Sequence, residues 1–245
     1  MSNLQLRIVS AIVLAAVVLS LAFVGDWPFR VLSALIAAAV FYEWSRMARP
    51  VPVSGLDLFP EVLLAAFLVA LIAGLSATIL LPLLLAMVIA TGIIGIARGA
   101  GQWDSTGLAY AGLSGLTLAL LRDSNHSGLV AILFLFAVVW ATDILAYFVG
   151  RAVGGPKLAP SISPGKTQSG ALGGTIGGVV AGLLVAIAFG ATNLGMLAVA
   201  ALILSVVSQA GDLFESWVKR RHGRKDSGAL IPGHGGVMDR VDGLV

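Results

Sequence analysis

Carboxylates, cations and glycines crowd the end of this 245-residue chain, where Asp226, Asp239 and Asp242 are interleaved with Lys225 and Arg240 around Gly233, Gly235 and Gly236. Just upstream, in "SQAGDLFESWVKRR", Asp212, Ser216 and Lys219 fall on one helix stripe at about 100° per residue. Ser208 lies one turn before them and Glu215 beside them. Acids at a helix C-terminus are disfavoured by the macrodipole, and a divalent cation would offset that cost. Oxygen ligands in a chain without cysteine suit a hard ion such as Mg²⁺, which takes one or two protein carboxylates and leaves other positions to water and substrate phosphates. Zinc is disfavoured, because His126, His222 and His234 are the only histidines and no HExxH pair occurs. The glycines would let backbone amides approach an anion. These are the parts of metal-assisted phosphoryl transfer; the bland alternative is a solvated charged tail.

Two further features could join that chemistry. Asp143, in "WATDILAYFVGR", lies eight residues before Arg151 and about two turns inside an apolar segment, where an ionisable group defaults to a functional hypothesis. Its structural alternative is a carboxylate that snorkels or pairs with Arg151. The loop "GGPKLAPSISPGKTQSG" ends like a phosphate-binding P-loop at Gly165, Lys166 and Thr167, but the glycine required five residues before Gly165 is Pro160. No flanking strand is expected either, so the nucleotide P-loop reading fails. Lys157 and Lys166 on a stiff loop could still meet phosphate oxygens, or be ordinary cytoplasmic lysines.

The elements that must position these groups are membrane helices. Composition is 58% hydrophobic and 11% charged, and the mean hydropathy of +1.00 lies far above that of soluble chains. Eight apolar segments can be marked: Ile8 to Val24, Phe29 to Tyr42, Val62 to Leu75, Ala77 to Ala97, Gly107 to Leu121, Leu129 to Gly150, Gly170 to Ala191 and Leu194 to Val218. They are continuously apolar and lack the alternation of a β-barrel. The expected fold is therefore all-α, a single polytopic membrane domain over 1–245 of about eight spans, with N-terminal spans over 1–140 and catalytic spans and polar loops over 141–245. With the N-terminus inside, only Arg30 and Arg122 of the fifteen Lys and Arg fall outside, as the positive-inside rule requires. The same rule makes the basic pI an orientation signal rather than a sign of nucleic-acid binding. Val24, Gly25 and Asp26 make a poor cleavage site, so the first segment reads as a retained span. Gly170, Gly174, Gly178 and Gly182, with Gly173 and Gly177 beside them, predict a tight helix pair.

In order, Ser216, Lys219, Arg220, Lys225, Asp226, Gly228, Leu230, Ile231, Pro232, His234, Gly235, Gly236, Asp239, Arg240 and Asp242 resemble the signature of the phosphatidate cytidylyltransferases, also called CDP-diacylglycerol synthases. "SPGKT" after "PKLAP", and Asp143 with Tyr147 before Arg151, resemble the family in the right order. The resemblance implies an integral membrane enzyme of phospholipid biosynthesis that condenses phosphatidate with CTP, giving CDP-diacylglycerol and pyrophosphate. It implies Mg²⁺, with room for a monovalent cation such as K⁺. Carried over by position, Asp212 and Asp239 are the leading metal ligands, with Asp143 and Asp242 beside them. Ser216, Lys219, Asp226 and Arg240 would be catalytic, and Lys157, Lys166, Arg220, Lys225, His234, Gly235 and Gly236 would bind substrate. The partners implied are CTP, phosphatidate and membrane lipid, with a homodimer allowed and nucleic acid excluded. The expected location is the inner (plasma) membrane, with the site facing the cytoplasm. Gln168 departs from the family's Trp after the SPxKT stretch, and the family pattern continues with one more membrane helix beyond the position of Val245.

Three rivals deserve weight. A transporter or channel would use Asp143, Asp212 and Glu215 as an ion path, but would not require the spacing after Lys225. A CDP-alcohol phosphotransferase would show DG followed by AR, whereas Asp242 and Gly243 precede Leu244 and Val245. A lipid-binding scaffold would tolerate single aspartate changes.

Overall fold

The computed structural model describes residues 3–49, 58–99, 101–231 and 235–244. Among them the chain forms helices α1 (Asn3–Val24), α2 (Asp26–Ala48), α3 (Phe59–Ile72), α4 (Ala77–Ala97), α5 (Trp103–Arg122), α6 (His126–Val153), α7 (Gln168–Ala188), α8 (Leu194–Arg221) and the short α9 (Met238–Val241). Strands β1 (Lys157–Ala159) and β2 (Ser163–Thr167) pair antiparallel between α6 and α7. The long helices occupy the apolar segments marked in the sequence, and α4 coincides with its segment from end to end. Five of them, α2, α4, α6, α7 and α8, are long and apolar enough to cross a bilayer, which makes this a membrane protein; α1 and α3 carry shorter apolar stretches.

The hairpin corrects the expectation that no strand could flank "SPGKT". Pro160 follows the three residues of β1, β2 runs for five with Pro164 inside it, and the hairpin closes with Ile162 N donating to Ala159 O at 3.2 Å. Lys166 therefore stands on a strand, and the segment is still not a P-loop.

The chain packs as two compact units, Met1–Ser124 with Asp226–Asp239, and Asn125–Lys225 with Arg240–Val245. In the first, α2 packs on α5 because Gly107 leaves room for the fully buried Trp44; a Cβ at Gly107 would lie 2.3 Å from the indole. The Trp44 indole N–H donates to Trp103 O at 2.8 Å. Arg49, at the end of α2, pairs with Glu61 of α3 and with Asp104 of α5, the latter at 2.8 Å.

In the second unit, α6 and α7 meet along the glycine stripe. A Cβ on Gly170 would lie 2.6 Å from Ala146 O, one on Gly174 would lie 2.6 Å from Thr142 O, and one on Gly178 would lie 3.0 Å from Val138 O. Successive glycines thus step along α6 one turn at a time, and small residues let backbones touch where a membrane offers no hydrophobic drive for association. The buried hydroxyls of Thr142 and Ser205 share a 2.8 Å hydrogen bond that adds α8 to the pair. Gln209 of α8 donates to Thr175 Oγ1 of α7 at 2.9 Å.

Candidate active site

Helical packing fixes a polar cluster in the second unit. The Asn125 side chain caps α6 by accepting from Gly128 N, and the Thr167 hydroxyl caps α7 by accepting from Gly170 N at 3.1 Å. That second cap ends β2 and fixes the strand's departure, so Lys166 reaches Asp212 on α8 and pairs with its Oδ2. Ser216, one turn further, donates to Asp212 Oδ1 at 3.5 Å. Lys219 pairs instead with the fully buried Glu215, Nζ to Oε1 at 3.3 Å. The predicted stripe of Asp212, Ser216 and Lys219 thus exists as a face, but Asp212 and the neighbouring Glu215 choose different lysines. Those lysines offset the macrodipole cost that the sequence had suggested for a cation.

The C-terminal turn enters the same cluster. Gly243 packs where a Cβ would lie 3.1 Å from Ser208 Oγ and 3.7 Å from Asp143 Oδ2, so the turn lies against both α6 and α8. Asp143 thus lies beside the C-terminal turn, while Arg151, the pairing partner that the sequence offers it, donates to Tyr147 Oη at 3.1 Å. Burial pushes the Asp242 carboxyl up to about 6. A hydrogen bond shared with Glu215 opposes that shift, and the Asp212 charge adds to it. Arg220 braces the hairpin, its Nε donating to Ile162 O at 3.3 Å, and Lys157 is exposed on β1 opposite Thr167. Lys225, Asp226 and Arg240 are exposed.

The first unit holds the rest of the signature. Asp239 reaches back to accept from Gly236 N at 3.0 Å and Ser227 N at 3.2 Å. Ile231 N donates to Gly235 O at 2.9 Å, closing a turn whose Gly235 has φ +87°, a conformation that favours glycine. His234, a predicted substrate-binding residue, lies outside the described residues, as do Pro232 and Gly233. The carboxylate that organises this segment is one the sequence reading passed over. Glu43, just beyond the segment ending at Tyr42, is 1% exposed and accepts from Ser227 Oγ, Val237 N and Met238 N. Its only signal was an acid beside an apolar run; its partners are 184 to 195 positions away in sequence.

The donor chemistry fits a hard cation. Asp143, Asp212, Asp242 and Glu215 bring carboxylate oxygens to one cluster, and Ser208 Oγ is buried without a hydrogen-bond partner among the described residues. No group of three His, Cys, Asp or Glu side chains among the described residues forms a ready-made metal cage. Mg²⁺ does not need one, since one or two carboxylates completed by water and phosphate oxygens suffice.

Comparison with known proteins bears on what this cluster does. Residues 5–245 match the model of the cytidylyltransferase family. The chain is 50% identical over its full length to the phosphatidate cytidylyltransferase of Brucella abortus, covering 90% of that protein. It is 32% identical to the phosphatidate cytidylyltransferase of Bacillus subtilis, again over the full chain and across 95% of the relative.

Proposed function

The chain belongs to the cytidylyltransferase family, and from that premise we propose that it joins phosphatidate to the cytidylyl group of CTP, forming CDP-diacylglycerol and releasing pyrophosphate. The observation that carries this reading is the 50% identity, across the whole chain, to a protein named for that reaction. The family match lends nothing to the transporter or channel reading.

In the proposed reaction a phosphate oxygen of phosphatidate attacks the α-phosphorus of CTP. The bond between that phosphorus and the β-phosphate oxygen breaks, and pyrophosphate leaves with the electron pair. Both reactants are polyanions, so their mutual repulsion is the main obstacle. The ammonium groups of Lys166 and Lys219, on a strand and a helix end held by packing, supply fixed positive charge against it. The guanidinium of Arg220 extends that field along the hairpin. Asp212, with Asp143 or Asp242 as a second carboxylate, would hold Mg²⁺, whose chemistry when bound is to neutralise phosphate oxygens and the charge gathering on the leaving group. Ser216 orients Asp212 by its hydrogen bond. No covalent enzyme intermediate is required. The diacyl chains stay in the bilayer while the phosphate meets CTP at the cytoplasmic face of the inner membrane, the orientation that the Lys and Arg distribution favours.

The test is direct: purified protein in lipid vesicles, phosphatidate, Mg²⁺ and CTP labelled at the α-phosphate. Label moving into chloroform-soluble CDP-diacylglycerol with matching pyrophosphate release is the expected result. No labelled lipid from intact, folded protein would sink the proposal.

A further inference from the structure

We propose that Glu43 is a positioning residue that holds the C-terminal signature in its working shape, acting on Asp239 through the backbone both carboxylates share. The inference rests on the cytidylyl-transfer reading above and on the family resemblance, which implies Asp239 as a metal ligand.

A buried carboxylate is costly unless its oxygens are satisfied. Among the described residues Glu43 meets that condition with partners from the signature stretch: Oε1 accepts from Val237 N at 2.9 Å, and Oε2 accepts from Met238 N at 2.9 Å and from Ser227 Oγ at 3.0 Å. The amide of the same Ser227, and that of Gly236 next to Val237, are the donors that orient Asp239. Glu43 therefore grips the two points from which Asp239 hangs, one on each side of the turn closed by Ile231 and Gly235.

Two signature glycines give an independent line of support. A Cβ on Gly228 would lie 2.5 Å from Glu43 Oε1, and one on Gly236 would lie 2.4 Å from Oε2 and 2.0 Å from Ser227 Oγ. No side chain fits at either place while Glu43 is there. Glycine at 228 and 236 is thus required by the approach of a carboxylate from α2.

Glu43→Gln tests the idea with almost no change in volume. Whichever way the amide turns, its NH₂ faces a backbone N–H, so donor meets donor. Hydrogen exchange in metal-free protein is the first readout, and turnover with its Mg²⁺ dependence is the second. The amides of Val237 and Met238 are expected to exchange at least about tenfold faster, the scale of one lost charge-assisted hydrogen bond, with exchange in α4 and α5 unchanged. Turnover falls about tenfold or more, and the Mg²⁺ concentration for half-maximal rate rises. Unchanged exchange at 237 and 238, or full turnover with the wild-type Mg²⁺ dependence, overturns the proposal. If Glu43→Gln fails to fold, Ser227→Ala removes one of the three hydrogen bonds and is judged by the same two readouts. Should the wild type itself make no CDP-diacylglycerol, the functional reading fails, while the exchange measurement still decides whether Glu43 holds the segment.

Discussion

Asp212 owes its setting to two neighbours from different elements, Lys166 on β2 and Ser216 on its own helix. Removing the ammonium leaves a carboxylate in a cluster that already holds Asp143, Asp242 and Glu215. Lys166→Gln is therefore expected to lower turnover about tenfold to a hundredfold, the worth of one charge-assisted hydrogen bond, as steady-state kinetics with CTP would measure. Asp242 supplies a pH dependence. Its folded carboxyl, at about 6, holds a proton more tightly than the unfolded chain does. Its stabilising contribution is full below the unfolded value near 4, and is lost as pH rises through about 6. Thermal melts of metal-free protein should show this loss between about pH 4 and 6, and Asp242→Asn should remove that part of the profile; an unchanged profile in the variant would contradict the assignment. Asp143, Asp212 and Asp242 were legible as candidates because acids stand out in or beside apolar helices. Glu43 was not, because its meaning depends on a contact across most of the chain.

At the scale of elements, the α6–α7 pair sets the register that presents Asp143 to α8. Its glycines could be read from their four-residue spacing, since one period fixes one helix face. The β1–β2 hairpin could not: strands of three and five residues, the second holding Pro164 and Gly165, carry no alternation, and the hairpin is held by contacts with the α7 cap and with Arg220 on α8. Gly174→Ala should cost about 1–3 kcal/mol by overpacking, because the added methyl meets a backbone oxygen, Thr142 O at 2.6 Å, that cannot swing aside. Gly195→Ala, with nothing within 4 Å, is the control and should melt like the wild type. Equal melting temperatures for the two variants would show that the pair is looser than the glycine contacts indicate.

For the whole molecule, the apolar helices and the cytidylyltransferase family were both readable from sequence, one from continuous hydropathy and the other from an ordered polar signature. The division into two units was not, because Asp226–Asp239 rejoins the N-terminal helices through contacts that no local pattern announces. Orientation is testable with little background, since the chain has no cysteine. Lys225→Cys and Ser124→Cys, both at exposed positions, should be labelled by a membrane-impermeant thiol reagent from opposite sides, Lys225→Cys from the cytoplasm. Labelling of both from one side would contradict the proposed topology. The central claim, that the Asp212 cluster carries out cytidylyl transfer, is tested most directly by CDP-diacylglycerol formation in matched vesicles of wild-type and Asp212→Asn protein. The account expects turnover by the wild type and a loss of about a hundredfold or more in the variant, the scale of removing a charged group from the reacting centre; equal rates in the two would contradict it.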